Sequence, residues 1–270
     1  MIPAAFAYQR ASSVDEASRM LSEAGPDAKV LAGGHSLIPL MRLRLAQPTS
    51  LIDINPLENE LSFIRRDNGS LHIGALTRHY QIEDSQEVKR SLPLLAEIAS
   101  EVGDFQVRTM GTIGGVLAHA DPAGDYGTLA LMLDATIVTN KRSLASRDFF
   151  KGLFTTPLEA DELVTEVVFP AVSGPHKYLK FRRRMFDWAI VAAGAQRMDD
   201  GSWRVGITNA APTPVRASGV EQALASGASP AEAAKSASQG LDPVSDLKGS
   251  AEYKLHLATV LAQRAIDGAQ

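Results

Sequence analysis

The chain has 270 residues, 45% of them hydrophobic and 21% charged, with a net charge of −4. That length suits two or three compact units, and the mild negative charge offers nucleic acid no basic footprint. The absence of cysteine excludes disulfides, thiol catalysis, cysteine-ligated zinc and any iron–sulfur cluster held by this chain.

Phe6–Arg10 reads as a first strand. Ser13, followed by Asp15 and Glu16, marks a helix start. Apolar Val14, Ala17, Met20, Leu21 and Ala24 then recur at helical spacing until Gly25-Pro26 stops them. Lys29–Ala32 is a short buried strand that runs into Gly33-Gly34-His35-Ser36. Leu37–Leu45 reads as a short helix and Ser50–Ile54 as a third strand, so residues 1–55 predict a small parallel sheet. Leu61–Arg66 and Leu71–Ala75 flank Asn68-Gly69, a hairpin signal. Thr77 carries the hydroxyl of a helix cap, and Leu92–Ser100 reads as a buried helix. A second Gly-Gly stretch, Gly111–Ala118, comes next, and Asp121–Asp125 heads a helix that runs through Met132. Ala135–Thr139 and Leu163–Phe169 are further strands, and Pro170 to Pro175 marks a domain boundary. Beyond it lie strands at His176–Arg183, Ala189–Met198 and Trp203–Thr208, then alanine-rich helices near 217–226, 230–238 and 250–267. Strands followed by helices predict an α+β unit over 176–270, and the chain as a whole is assigned to the α+β class.

The two glycine stretches carry the functional expectation. Glycine has no Cβ, so its backbone takes positive φ and lets a ligand approach; successive N–H groups turned to one side form an anion site. Two such loops, with Ser36 and Thr112 beside them, suit a diphosphate held from two sides in a dinucleotide site that is not a Rossmann site. Other chemistries fit less well. Gly34–Ile38 lacks the second glycine of a nucleophile elbow. His35, His119 and Asp121 have no further ligand at a recognisable spacing, so no metal and no catalytic residue is assigned.

Ala32-Gly33-Gly34-His35-Ser36, Thr112-Ile113-Gly114-Gly115 and the tail Leu117-Ala118-His119-Ala120-Asp121-Pro122 with Asp125 together resemble one family. It is the FAD-binding medium subunit of the molybdenum hydroxylases, which includes carbon monoxide dehydrogenase medium subunits and the flavin domain of xanthine dehydrogenase. The resemblance covers the whole chain. It implies a two-part FAD-binding domain over 1–170: a small parallel βαβ unit (1–55), then a larger mixed sheet with helices (56–170). A small α+β C-terminal domain with a three-stranded sheet and a helical bundle would occupy 176–270.

Position by position, the resemblance implies that Ala32, Gly33, Gly34, His35 and Ser36, with Thr112, Ile113, Gly114 and Gly115, hold the FAD diphosphate. Leu31, Leu37 and Ile38 would give apolar contact, and His119 counts among the cofactor-binding positions. Asp125 would accept hydrogen bonds from ribose or ribityl hydroxyls. In the stretch Lys180–Ala189, Lys180 would face negative charge on the reduced flavin and Trp188 would cover one ring face. One departure stands out: Val116 replaces the asparagine that commonly follows the second Gly-Gly, so an amide contact to the cofactor is lost.

The implied partners are a large molybdopterin subunit with the molybdenum cofactor and a small subunit with two [2Fe–2S] clusters, in an (LMS)2 assembly. Substrate would be hydroxylated at molybdenum, with water as the oxygen source. Electrons would pass through the clusters and FAD to an external acceptor. The amino-terminal stretch has no charged region ahead of a long apolar core and no run spans a membrane, so the cytoplasm is the expected compartment. The alternative is a self-sufficient FAD-dependent oxidase or reductase of the vanillyl-alcohol-oxidase-like fold group. A scaffold subunit without flavin is a third reading, and only Val116 points to it.

Overall fold

The structure, a computed structural model, describes residues 2–270; Met1, counted in the first unit, lies outside the described residues. Strands β1 (Ala7–Arg10), β2 (Ala28–Leu31) and β3 (Ser50–Asp53) form a parallel sheet in the order β1-β3-β2. The crossover helix α1 (Val14–Ala24) starts where Ser13 Oγ accepts the Glu16 N–H at 3.1 Å and ends at Gly25, whose φ is +82°. It buries Ala17 and Leu21 against Ile52, Leu57 and Leu61. Being central, β3 is buried along its whole length, Asp53 included. Helix α2 (Leu37–Arg42) follows the first glycine stretch, and α3 (Glu58–Leu61) follows β3. Leu61 therefore ends a helical turn, and the next strand begins later than the sequence pattern suggested.

That strand is β4 (Ile64–Asp67), paired with β5 (Ser70–Gly74) across Asn68 and Gly69, which take φ of +47° and +78°. With β6 (Thr136–Thr139), β7 (Ser143–Ala145) and β8 (Val164–Pro170) they form a five-stranded sheet, order β4-β5-β8-β6-β7. Every neighbouring pair is antiparallel, which corrects the expected mixed sheet. The reason is connectivity: both edge pairs are hairpins, and β8 returns between them against the direction of both neighbours.

Helices α4 (His79–Asp84), α5 (Gln86–Ser91), α6 (Pro93–Ser100), α7 (Phe105–Met110), α8 (Ile113–His119) and α9 (Asp125–Met132) all lie between β5 and β6, and α10 (Ser146–Phe149) follows β7. They close the main core over Leu71, Ile73, Leu95, Tyr126, Val167 and Phe169. Thr77 does not cap α4. Its hydroxyl donates to the Phe63 carbonyl at 3.1 Å, and the helix starts two residues later, where Gln81 Oε1 accepts the Arg78 N–H at 2.7 Å.

The last part is a four-stranded antiparallel sheet, order β12-β11-β10-β9, of β9 (His176–Phe181), β10 (Val191–Arg197), β11 (Trp203–Thr208) and β12 (Val215–Arg216). It has one strand more than expected, because two residues give no readable alternation. Helices α11 (Ser218–Ala225), α12 (Pro230–Ala233) and α13 (Ala251–Gly268) follow. Strand β10 is buried on both faces. Val191, Ala193 and Ala195 pack with Leu257 and Leu261 of α13, whereas Ala192 joins the main core. A Cβ on Gly206 would come 2.6 Å from Thr128 Cγ2, so α9 lies directly on the sheet.

Candidate cofactor site

The first glycine stretch leaves the carboxyl end of β2, the position where open parallel sheets place ligands. Gly34 takes φ +72°, and Ile38 folds its side chain back over it. Gly33 rests on the second stretch: a Cβ there would lie 2.2 Å from the Met110 carbonyl oxygen and 2.9 Å from Gly111 Cα. His35, exposed at the turn, has Nε2 3.2 Å from the Gln106 carbonyl. The two stretches are thus in contact.

From Gly33 to Leu37, no backbone N–H finds an acceptor among the described residues. Ser36 precedes α2 without capping it, and its hydroxyl also has no partner among the described residues. Adjacent free donors around one left-handed residue form a concave anion site. Leu31, Ala32 and Leu37 are half-buried beside it, and Ile38 is exposed.

The second stretch is built differently. Expected as a loop with converging N–H groups, it is instead the first turn of α8, and this is a correction. Thr112 Oγ1 accepts the Gly115 N–H at 3.2 Å. Ile113 N–H donates to Thr77 O at 3.1 Å and Gly114 N–H to Ala75 O at 2.9 Å. A Cβ on Gly114 would fall 2.5 Å from Ala75 Cβ, so this glycine serves close packing rather than ligand access. Only Thr112 keeps its own N–H and hydroxyl proton unspent among the described residues. Val116 is half-buried, against Gly124. At the end of α8, His119 stacks on Phe154 at 5.0 Å; burial holds its imidazole below the usual range, against the pull of Asp121.

Asp125 and Lys180 are brought together, each as the other's partner. Lys180 Nζ lies 2.8 Å from Asp125 Oδ2 and donates to the Glu101 carbonyl at 2.9 Å, while Tyr178 OH donates to Asp125 Oδ1 at 2.7 Å. Both side chains are buried where β9 meets α9. Burial pushes the Asp125 carboxyl up, and the Lys180 ammonium and Tyr178 hydroxyl pull it back down. Trp188 is 49% exposed at the end of a bulging segment that also shows Met185 and Phe186, the latter at φ +67°.

The sequence reading missed the polar support behind the glycines. Asn55 Nδ2 donates to Ala32 O at 2.9 Å and to Asp53 Oδ1 at 2.6 Å. Arg78 donates through Nη2 to Asn55 Oδ1 at 2.8 Å and through Nη1 to the Met110 carbonyl. Their signal is three-dimensional, since no local pattern joins positions 55, 78 and 110.

The FAD binding domain of molybdopterin dehydrogenases matches residues 4–172, and the CO dehydrogenase flavoprotein C-terminal domain matches 176–269. The chain belongs to the flavoprotein medium-chain family of the molybdenum hydroxylases. The carbon monoxide dehydrogenase medium chain of Hydrogenophaga pseudoflava is 38% identical to it, over 100% of this chain and 98% of that one. The glyceraldehyde dehydrogenase medium chain of Sulfolobus acidocaldarius is 36% identical, over 98% of each. In structure, the Hydrogenophaga carbon monoxide dehydrogenase chain superposes with a TM-score of 0.94 over 100% of this chain and 98% of its own. This medium chain is therefore an oxidoreductase subunit with an FAD-binding domain. Among the described residues, no group of three or more His, Asp or Glu could hold a metal ion, and no helix is long and apolar enough to cross a membrane.

Proposed function

We propose that this chain is the flavin-carrying electron-transfer subunit of a molybdenum hydroxylase complex, with the FAD diphosphate seated on residues 32–36. The observation that carries this is the unbroken run of unpaired N–H groups from Gly33 to Leu37, beside an uncommitted Ser36 hydroxyl. These groups fit a dianionic diphosphate and ask for no side-chain charge in the cradle itself. Thr112 adds a hydroxyl donor from the second side, Leu31, Leu37 and Ile38 supply apolar contact, and Trp188 covers one face of the ring. Asp125 and Lys180 act as a buried pair that braces β9 against α9: Tyr178 and the Glu101 carbonyl complete their hydrogen bonds, so the pair serves the site through the frame it holds rather than through the ribityl and flavin contacts expected of it.

FAD held there would supply a carrier able to take electrons singly or in pairs, which suits a junction between one-electron clusters and an external acceptor. The residues of this chain bind and orient it; none is asked to move a proton of the substrate. The partners in this proposal are a large molybdopterin subunit and a small subunit with two [2Fe–2S] clusters, as (LMS)2, in the cytoplasm. The boundary between the FAD-binding and C-terminal domains falls within 171–175.

The test is the absorption spectrum of the protein purified with its partners from the native host. Flavin bands overlaid by broad iron–sulfur absorbance, with two further chains on a gel, are expected. A flavin spectrum from this chain alone, with turnover of a substrate, would overturn the subunit reading. No flavin even after FAD is added would overturn the cradle.

A further inference from the structure

Arg78 is 7% exposed, yet no carboxylate lies within 4.0 Å of it among the described residues. Its two acceptors, Asn55 Oδ1 and the Met110 carbonyl, are neutral. The nearest acidic group along this network, Asp53, reaches it only through Asn55 and already accepts from Tyr8 OH and from the Asn55 N–H and amide. A buried cation without an anion is costly, so a fold that keeps one at a ligand site has a reason in the ligand. The position supplies that reason. The Met110 carbonyl that Arg78 grips is the one on which Gly33 rests, and Asn55, bonded to Arg78, grips the carbonyl of Ala32. The guanidinium therefore stands directly behind the first residues of the donor run. It also fixes both walls of the cradle through a single Asn–Arg contact.

We propose that Arg78 is the buried counter-charge of the diphosphate, and that Arg78 and Asn55 are the positioning residues that hold the two glycine segments at the spacing it needs. The proposal rests on the cradle reading above. Arg78 touches no phosphate oxygen in this arrangement. It acts through the field in a weakly screened site and through the two carbonyls it fixes. Arginine suits both tasks, because its planar fork stays charged and reaches two acceptors at once.

The experiment uses the full-length chain, with FAD binding followed by quenching of flavin fluorescence and with ADP and adenosine as competitors. Arg78→Gln keeps a donor for the Met110 carbonyl and removes the charge. It is expected to weaken FAD and ADP at least about tenfold while adenosine, which has no phosphate, moves less than about threefold. Arg78→Lys restores the charge and is expected to recover most of the loss. Equal affinities for FAD in Arg78→Gln and the unaltered chain would overturn the proposal, as would equal losses in Arg78→Gln and Arg78→Lys. Should Arg78→Gln not fold by circular dichroism, Asn55→Asp decides: it sets a carboxylate against the guanidinium, and undiminished FAD affinity there overturns the proposal. If the unaltered chain binds neither FAD nor ADP, the cradle reading itself has failed and the proposal goes with it.

Discussion

The two Gly-Gly stretches look alike in sequence and spend their backbones in opposite ways. At Gly33-Gly34 the glycines let one segment lie on another and turn through positive φ, leaving a row of N–H groups with no acceptor among the described residues. At Gly114-Gly115 the same dipeptide lets α8 press onto Ala75, and its N–H groups are consumed by Ala75 and Thr112. One stretch is shaped for a ligand and the other for the protein. A glycine pair is thus a statement about close approach, and only the fate of the neighbouring donors says what approaches.

The contrast is sharpest in the segment each stretch leads into. The second leads to α9, whose first residue, Asp125, is locked to Lys180. Lys180→Met should leave a buried carboxylate uncompensated and cost about 3–5 kcal/mol, read from the denaturation midpoint of the full chain. Asp125→Leu with Lys180→Met should recover much of that loss. A cost below about 1 kcal/mol for the single change would mean that the pair does not hold β9 to α9.

A second effect comes from behind Gly111, where His79 is buried against Tyr126 with Nδ1 unpartnered. Burial first, then the positive fields of His35, Arg108 and Arg78, lower its imidazole to about 3. A histidine depressed in the folded state contributes stability that is complete above its unfolded value of 6.5 and is lost as pH falls towards 3. Between about pH 6 and 4 the unaltered chain should lose about 1.4 kcal/mol per pH unit more than His79→Phe does. His119 titrates in the same direction in both proteins and cancels from the difference. Parallel pH profiles would show that His79 is not held neutral.

The glycines themselves give the direct contrast. Gly114→Ala meets Ala75 and should destabilise the fold by about 1–3 kcal/mol while changing FAD affinity little per folded molecule. Gly34→Ala must hold φ +72°, at about 1–2 kcal/mol, and should weaken FAD more than it weakens the fold. Titration calorimetry beside thermal melts separates the two; matched losses in both variants would erase the distinction. The smallest effect belongs to Val116. Val116→Asn restores the missing amide and should tighten FAD by about two- to tenfold. An unchanged dissociation constant would show that nothing is lost by valine there.

Much of this arrangement follows from local pattern. The helix from Ser13 to Gly25 and the Asn68-Gly69 hairpin each carry their own start or stop chemistry, and the structure follows them. The strand before Gly33 is there too, but as an edge strand it is half-buried rather than buried, because β3 takes the centre of the sheet. What escaped was set by distant partners. Thr77 has the right hydroxyl for a cap, but the Phe63 carbonyl claims it. The second glycine stretch reads as a loop because glycine disfavours helix. Thr112 nonetheless caps it into one, with the Ala75 and Thr77 carbonyls that follow β5 taking the donors of Gly114 and Ile113. Asp125 and Lys180 stand out as charges, yet nothing local says that they neutralise each other across fifty-five positions. Arg78 is the clearest such case, being a surface-type residue made internal by Asn55 and Met110.

Strand β10 carries a consequence for how this chain can be divided. Its alternating small residues present one face to the helices of the last hundred residues and the other to the core beneath α9. A partition that belongs to two rooms cannot be removed with either of them. Cutting the peptide between 171 and 175 would therefore release no separate module. Each fragment would keep a bare apolar side that only the other fits, and the two would persist as a noncovalent pair.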